Sequence, residues 1–205
     1  MQFGERDHQS DGEYREVSDF FNIREANPQV ARGQWEIEVG GAWVTNSDGT
    51  DDDVLFPEVT LKYGFTDDFF VEIENLPLNL GDGGDRGNGD LALVAFYRFV
   101  RENQSIPAVA GWAEMRIPSG QGSSKVDAEF HANLTKTFGE RFRVQFEGFV
   151  ETANGGRGQE DENRRHFQWG LGPGLDYQFD EKTLGLMNYR IASSEQRGRR
   201  EVNVL

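Results

Sequence analysis

The sequence predicts an all-β chain, an antiparallel up-and-down transmembrane β-barrel of about ten strands. Three observations point there. Apolar residues recur at every second position through segments of about ten residues, the length a tilted strand needs to cross a hydrocarbon layer. Short turns alternate with longer polar connections between those segments, as they do in outer-membrane barrels. The chain has 25 glycines against 6 prolines, favouring many turns, and no run approaches the ~20 apolar residues of a membrane helix.

Residues 1–32 carry both charges at high density with no sustained period, and Phe20, Phe21 and Ile23 are their only apolar cluster. They read as a loosely ordered N-terminal extension, mobile or loosely docked, with a short plug helix as the alternative, ahead of a barrel over 33–205. From Gly33 the alternation begins: Trp35, Ile37, Val39 and Trp43 share a face, and Glu36 and Glu38 point the other way. A tryptophan near each end of that face suits two interfacial aromatic girdles. Beyond the polar loop 46–53, residues 54–64 set Val59, Leu61 and Tyr63 against Glu58, Thr60 and Lys62. A tight turn at 65–67 leads into 68–76, where Phe69, Val71 and Ile73 oppose Phe70, Glu72 and Glu74. After the acidic, glycine-rich stretch 77–88, residues 89–100 place Leu91, Leu93, Ala95, Tyr97 and Phe99 opposite Asp90, Ala92, Val94, Phe96 and Arg98.

A short turn at 101–105 precedes 106–118, with Val109, Gly111, Ala113, Met115 and Ile117 against Trp112, Glu114 and Arg116. In 125–138, Val126, Ala128, Phe130, Ala132 and Leu134 oppose Asp127, Glu129, His131, Asn133 and Thr135. The Gly139 turn gives 141–151, where Phe142, Val144, Phe146 and Val150 oppose Arg141, Arg143, Gln145 and Glu147. Past the polar loop 152–164, residues 165–179 carry Phe167, Trp169, Leu171, Leu175, Tyr177 and Phe179 on one face. Gly170, Gly172 and Gly174 alternate on the other, with Gln168 and Asp176, leaving room for a bulky neighbour or sharp curvature. Residues 183–191 set Met187, Tyr189 and Ile191 against Asn188 and Arg190. The piece 200–205 begins another strand and stops, so the expectation is a chain that continues naturally to ten full strands or twelve.

The net charge of −15 and pI of about 4.6 exclude nucleic acid as a partner, since no basic surface exists to neutralise phosphates. Without cysteine there is no disulfide framework and no thiolate chemistry. The start, MQFGERDHQSDGEYREV, is too charged for a signal peptide, which an exported barrel needs, so the expectation is either a mature or truncated form or a compartment other than the outer membrane. The polar faces supply the candidate lumen residues: Glu36, Glu38, Glu58, Lys62, Glu72, Glu74, Asp90, Arg98, Glu114, Arg116, Asp127, Glu129, His131, Arg141, Arg143 and Glu147. Such a face can line a cation-preferring aqueous path, or fill a small barrel with ion pairs.

The acidic loops around 46–53 and 81–90 lack the twelve-residue calcium loop and read as solvated external loops that bridge lipopolysaccharide through divalent ions. His131 and His166 have no second ligand at fixed spacing. No nucleophilic triad or phosphate-binding loop occurs, so neither an enzyme nor a cofactor is expected.

The phrases YGFTDDFFVEIE (63–74), GDLALVAFYRF (89–99), PAVAGWAEMRIPSG (107–120) and GPGLDYQF (172–179) resemble those of the outer-membrane transporter family grouped with the MetA-like proteins of phenol degradation. The resemblance covers roughly residues 34–188 and rests on turn and strand signatures. It implies a porin-like barrel among outer-membrane lipid and lipopolysaccharide, passing small solutes, aromatic or hydrophobic ones included. Two other readings fit the alternation: a structural outer-membrane barrel with a plugged lumen, and a soluble lipocalin-like barrel with its aromatic face inward. Period two alone does not separate them, because inside and outside simply exchange. Oligomeric state is left open.

Overall fold

The computed structural model describes residues 26–44, 54–74, 90–119, 125–152, 165–180, 183–194 and 202–204. Alternation becomes strand at every segment expected: β1 (Trp35–Val44), β2 (Val54–Thr66), β3 (Phe69–Glu74), β4 (Leu91–Val100), β5 (Ala108–Ile117), β6 (Asp127–Phe138), β7 (Phe142–Thr152), β8 (Phe167–Asp180), β9 (Thr183–Asn188), β10 (Arg190–Ala192) and β11 (Val202–Val204). Among the described residues there is no helix. Each strand pairs antiparallel with its sequence neighbour, and β9 and β10 both pair with β8.

β9 and β10 keep one register against β8, with Gly174 opposite Asn188 and Leu171 opposite Ile191. They are two halves of one strand parted at Tyr189, so the eleven segments make ten strands. The parting has a local cause. Pro173 accepts a hydrogen bond from the Tyr189 amide at 3.0 Å but has no N–H to return. Among the described residues β1 pairs only with β2, and β11 only with β10, leaving these two as the edges of an up-and-down sheet.

The faces divide in the reverse of a water-soluble sheet. Trp35, Ile37, Val39 and Phe99 are 65%, 68%, 78% and 66% exposed, whereas Lys62 and Glu72 are each 2% exposed and Arg143 3%. Among the described residues the segment 26–32 lies over that charged face, with Gln29 on Lys62, Asn27 on Arg98 and Ala26 on Thr135. Period-two strands therefore put charge on the buried face and hydrocarbon on the exposed one.

Of the expected N-terminal extension over 1–32, residues 1–25 lie outside the described residues, and the C-terminal end is docked. Residues 26–32 dock on the enclosed face. The Ala26 amide donates to Thr135 Oγ1 at 2.9 Å, and Ala26 and Val30 pack with Phe70, Phe96, Ala108 and Ala110, with Trp112 alongside. This is the only apolar core among the described residues, and the segment lacks period two because it is not a strand. The loop residues 46–53 and 81–89 also lie outside the described residues, and with them the expected cation bridge to lipopolysaccharide.

The up-and-down order puts the short connections 67–68, 101–107, 139–141 and 181–182 at one end and the longer ones at the other. Gly139 sits at φ +63° in its turn, a left-handed conformation that suits glycine. Three register shifts fall at this short-turn end, between Gly64 and Thr66, Arg98 and Val100, and Gln178 and Asp180. The extra residue is a phenylalanine each time: Phe65, Phe99 and Phe179. Each ring meets the tyrosine two residues earlier, Tyr63, Tyr97 or Tyr177, edge-on at 4.8, 5.1 and 4.9 Å between centroids. Phe99 lies over Gly111 and Phe179 over Gly185, where an added Cβ would stand 3.1 and 2.8 Å from the ring. Bulges of this kind are common at barrel rims, where they raise the twist and re-aim side chains.

Candidate functional site

The enclosed face holds three charged clusters and an apolar floor. In the first, cross-strand register puts Lys62 directly opposite both Glu36 and Glu72. Its ammonium reaches Glu38 Oε1 at 2.5 Å, Glu36 Oε1 at 3.4 Å and Glu72 Oε2 at 4.0 Å, and donates to Gln29 Oε1 at 2.9 Å. A buried lysine needs such company, because an uncompensated interior charge is strongly destabilising.

The second cluster resolves a conflict of register. Glu114 and Glu129 are directly opposed on β5 and β6, and Glu129 also faces Glu151 on β7. Like charges so placed repel. Arg116 lies between the first two, donating to Glu114 Oε1 at 2.5 Å and Glu129 Oε2 at 2.8 Å. His131 adds the other connection, with Nε2 at 2.5 Å from Glu129 Oε1 and Nδ1 on Glu147. With a carboxylate oxygen at each ring nitrogen, both nitrogens are placed to donate.

That ring is also the centre of a stack. Trp112 and His131 are 3.5 Å apart at 14°, His131 and Phe149 5.2 Å apart at 18°, and the Arg190 guanidinium stands 4.1 Å above the Phe149 ring. Gly170 makes the stack possible, since a Cβ there would lie 2.1 Å from the Phe149 ring. This bears out the reading of that glycine as room for a bulky neighbour.

In the third cluster Arg143 and Asp176, directly opposed on β7 and β8, pair at 2.8 Å, and Gln145 donates to the same carboxylate oxygen at 3.0 Å. Both partners are buried, so removing either one leaves a buried charge and costs about 3–5 kcal/mol.

The short-turn rim carries a fourth group. Asp68, in the β2–β3 turn, receives Arg98 at 2.7 Å and Arg101 at 2.7 Å. Arg98 also donates to Asn27 Oδ1 at 3.2 Å. The Arg101 hydrogen bond, with Arg98 beside it, holds the Asp68 carboxyl below its ordinary value of 3.8 against a smaller opposing effect of burial. On the outward face, Lys136 bends its ammonium back to Glu102 and to the Asn103 carbonyl at the same end, as a lysine does when its stem lies on apolar surface.

Most of the expected lumen residues thus share the buried face of the sheet. Lys62, Glu72, Glu114, Glu129, Arg143 and Glu147 are buried there, and Glu36, Glu38, Glu74, Asp90, Asp127 and His131 are half-buried. Arg116 is more exposed than the clusters below it, towards the long-loop end. Arg98 sits at the rim. Arg141 does not join: it lies in the turn before β7, exposed, with its guanidinium on the Phe179 carbonyl at 3.4 Å. Glu58 is placed opposite Gly40, and its side chain lies outside the description.

Sequence reasoning missed Gln29 and Asn27, which have no strand period around them. Asp176, Gln145, Trp112, Phe149 and Arg190 were legible by parity, since each shares its strand's charged face. Among the described residues no group of three or more His, Asp or Glu side chains is arranged to hold a metal ion.

The outward face has its own order. At the short-turn end Trp35, Tyr63, Phe65, Phe69, Tyr97 and Phe99 form an unbroken chain of ring contacts across β1 to β4, with centroids 4.5 to 6.4 Å apart. Phe138 meets Phe142, and Tyr177 meets Phe179, at the same level on β6 to β8. Compared with known proteins, the chain matches no family model, no curated protein and no solved structure.

Proposed function

We propose that the chain is a ten-stranded transmembrane β-barrel of the bacterial outer membrane that passes small solutes passively through its charged interior. One observation carries this reading: the exposed face is apolar along nearly every strand while the charged face is enclosed. In water that arrangement exposes hydrocarbon and buries charge, both unfavourable; in a bilayer it meets lipid with hydrocarbon. The aromatic chain at the short-turn end supports it as an interfacial girdle. So does length: Phe167 to Phe179 on β8 span about 40 Å along the strand, or about 30 Å at a ~40° tilt, enough for an apolar band ~25 Å tall. In this proposal β11 closes the barrel beside β1, the two edges left over.

The acidic excess favours cations, and the chemistry is desolvation and electrostatic selection with no covalent step. The resemblance of the turn and strand phrases to the phenol-degradation transporters fits this proposal and adds no chemistry to it. A soluble lipocalin-like barrel needs the opposite orientation of the two faces.

Fractionation of the natural gene product followed by planar-bilayer recording is the direct test. The expected result is an outer-membrane protein giving cation-selective conductance steps, and a soluble monomer overturns the reading. A second reading, a structural barrel with a filled lumen, is favoured by the near-complete burial of Lys62, Arg143 and Asp176, each within its own cluster. It predicts membrane residence with no conductance.

A further inference from the structure

We propose that residues 26–32 form a strap that closes the short-turn end of the interior, and that its withdrawal, with the sheet intact, opens the path. The inference rests on the conduit reading above. The strap crosses from wall to wall: Arg32 bridges to Gly64 on β2, Gln29 meets Lys62 on β2, Asn27 meets Arg98 on β4, and the Ala26 amide meets Thr135 on β6. Strands β2 and β6 stand far apart in the sheet order, so a segment tied to both spans the enclosed space. Beneath it Phe70 and Phe96 stack at 4.8 Å and complete an apolar floor, while the interior towards the long-loop end is charged.

The strap is held differently from the wall. Each strand is fixed by a continuous ladder to its neighbours, whereas 26–32 has one isolated backbone bridge, at Arg32, besides the side-chain bonds above and the packing of Ala26 and Val30. Segments with so few buried contacts and no ladder open at the lowest free energy. Leaving is also electrostatically cheap. Gln29 and Asn27 cap the two cations with neutral amides, and when they go Lys62 keeps its glutamates and Arg98 keeps Asp68. No charge is stranded. Seating, by contrast, depends on one residue: at Gly64 an added Cβ would lie 2.2 Å from the Ala31 carbonyl oxygen, and that oxygen belongs to backbone with little room to yield.

The test uses Gly64→Val and Val30→Asp, each recorded in planar bilayers after protease protection has shown insertion. Val30→Asp lies on the strap and leaves every ladder bond in place, so it stands if the first variant misfolds. A third protein, Ala26→Cys with Thr135→Cys, joins strap to wall in a chain that has no other cysteine, at the contact where the Ala26 amide meets Thr135 Oγ1 at 2.9 Å. The expected result is open probability raised about tenfold in the two unseating variants, the shift that a loss of about 1.4 kcal/mol from the seated state produces. The oxidised cysteine pair should open less than wild type and recover on reduction. Inserted variants that conduct no more than wild type overturn the strap as the closure, as does an oxidised pair that conducts like its reduced form. Failure of wild type itself to insert overturns the membrane reading and the strap with it.

Discussion

Asp68 gathers two guanidinium groups at a turn, and this gives a titration with a definite sign. Its carboxyl is held below the ordinary 3.8, so the stability it contributes is present above that pH and is lost as pH falls through the folded value. Asp68→Asn should lower stability by about 1 kcal/mol or less at neutral pH, because the group is partly exposed. Urea unfolding in micelles should show that difference shrinking towards zero below pH 3.8. At this scale the sequence was informative wherever parity decides. Glu129 and His131 share one face as their positions required, and Trp112 and Phe149 fall on that face by the same parity. Which charges touch was not legible, because the Arg116 contacts and the His131 stack depend on side-chain reach across strands.

At the scale of elements, the break between β9 and β10 has one residue on each side. Pro173 withholds a donor, and the Tyr189 carbonyl turns towards Gly172, where an added Cβ would lie 1.9 Å away. Gly172→Ala should therefore cost about 1–3 kcal/mol, as overpacking against backbone does. Gly148→Ala on β7 meets nothing nearer than 3.8 Å and should change stability by less than about 0.5 kcal/mol in the same unfolding assay. All ten strands were legible because alternation is a property of each strand alone. The three phenylalanine bulges were not, since an extra residue exists only relative to a partner strand. The contacts of the strap were not legible for a related reason: it follows no period, and its fit depends on a bare patch at Gly64 in another element.

For the whole molecule, the decisive arrangement is apolar outside and charged within. Ala132 lies mid-strand on the outward face of β6 and is exposed. Ala132→Arg should cost about 2–4 kcal/mol in a bilayer, against almost nothing for a protein with that face in water. Comparing refolding into lipid vesicles with the unsubstituted chain measures it. The alternation and the segregation of long from short connections were readable before any coordinates; which face turns inward was not, because exchanging the two leaves the pattern unchanged. The topology also sets an order of assembly. Every ladder joins strands adjacent in sequence, so the wall can grow hairpin by hairpin with short loops to close. The bond from Ala26 to Thr135 spans 109 residues. The first described segment of the chain therefore has no complete seat until β6 is in place, and it must wait, unattached at that end, while its own receptor is being built.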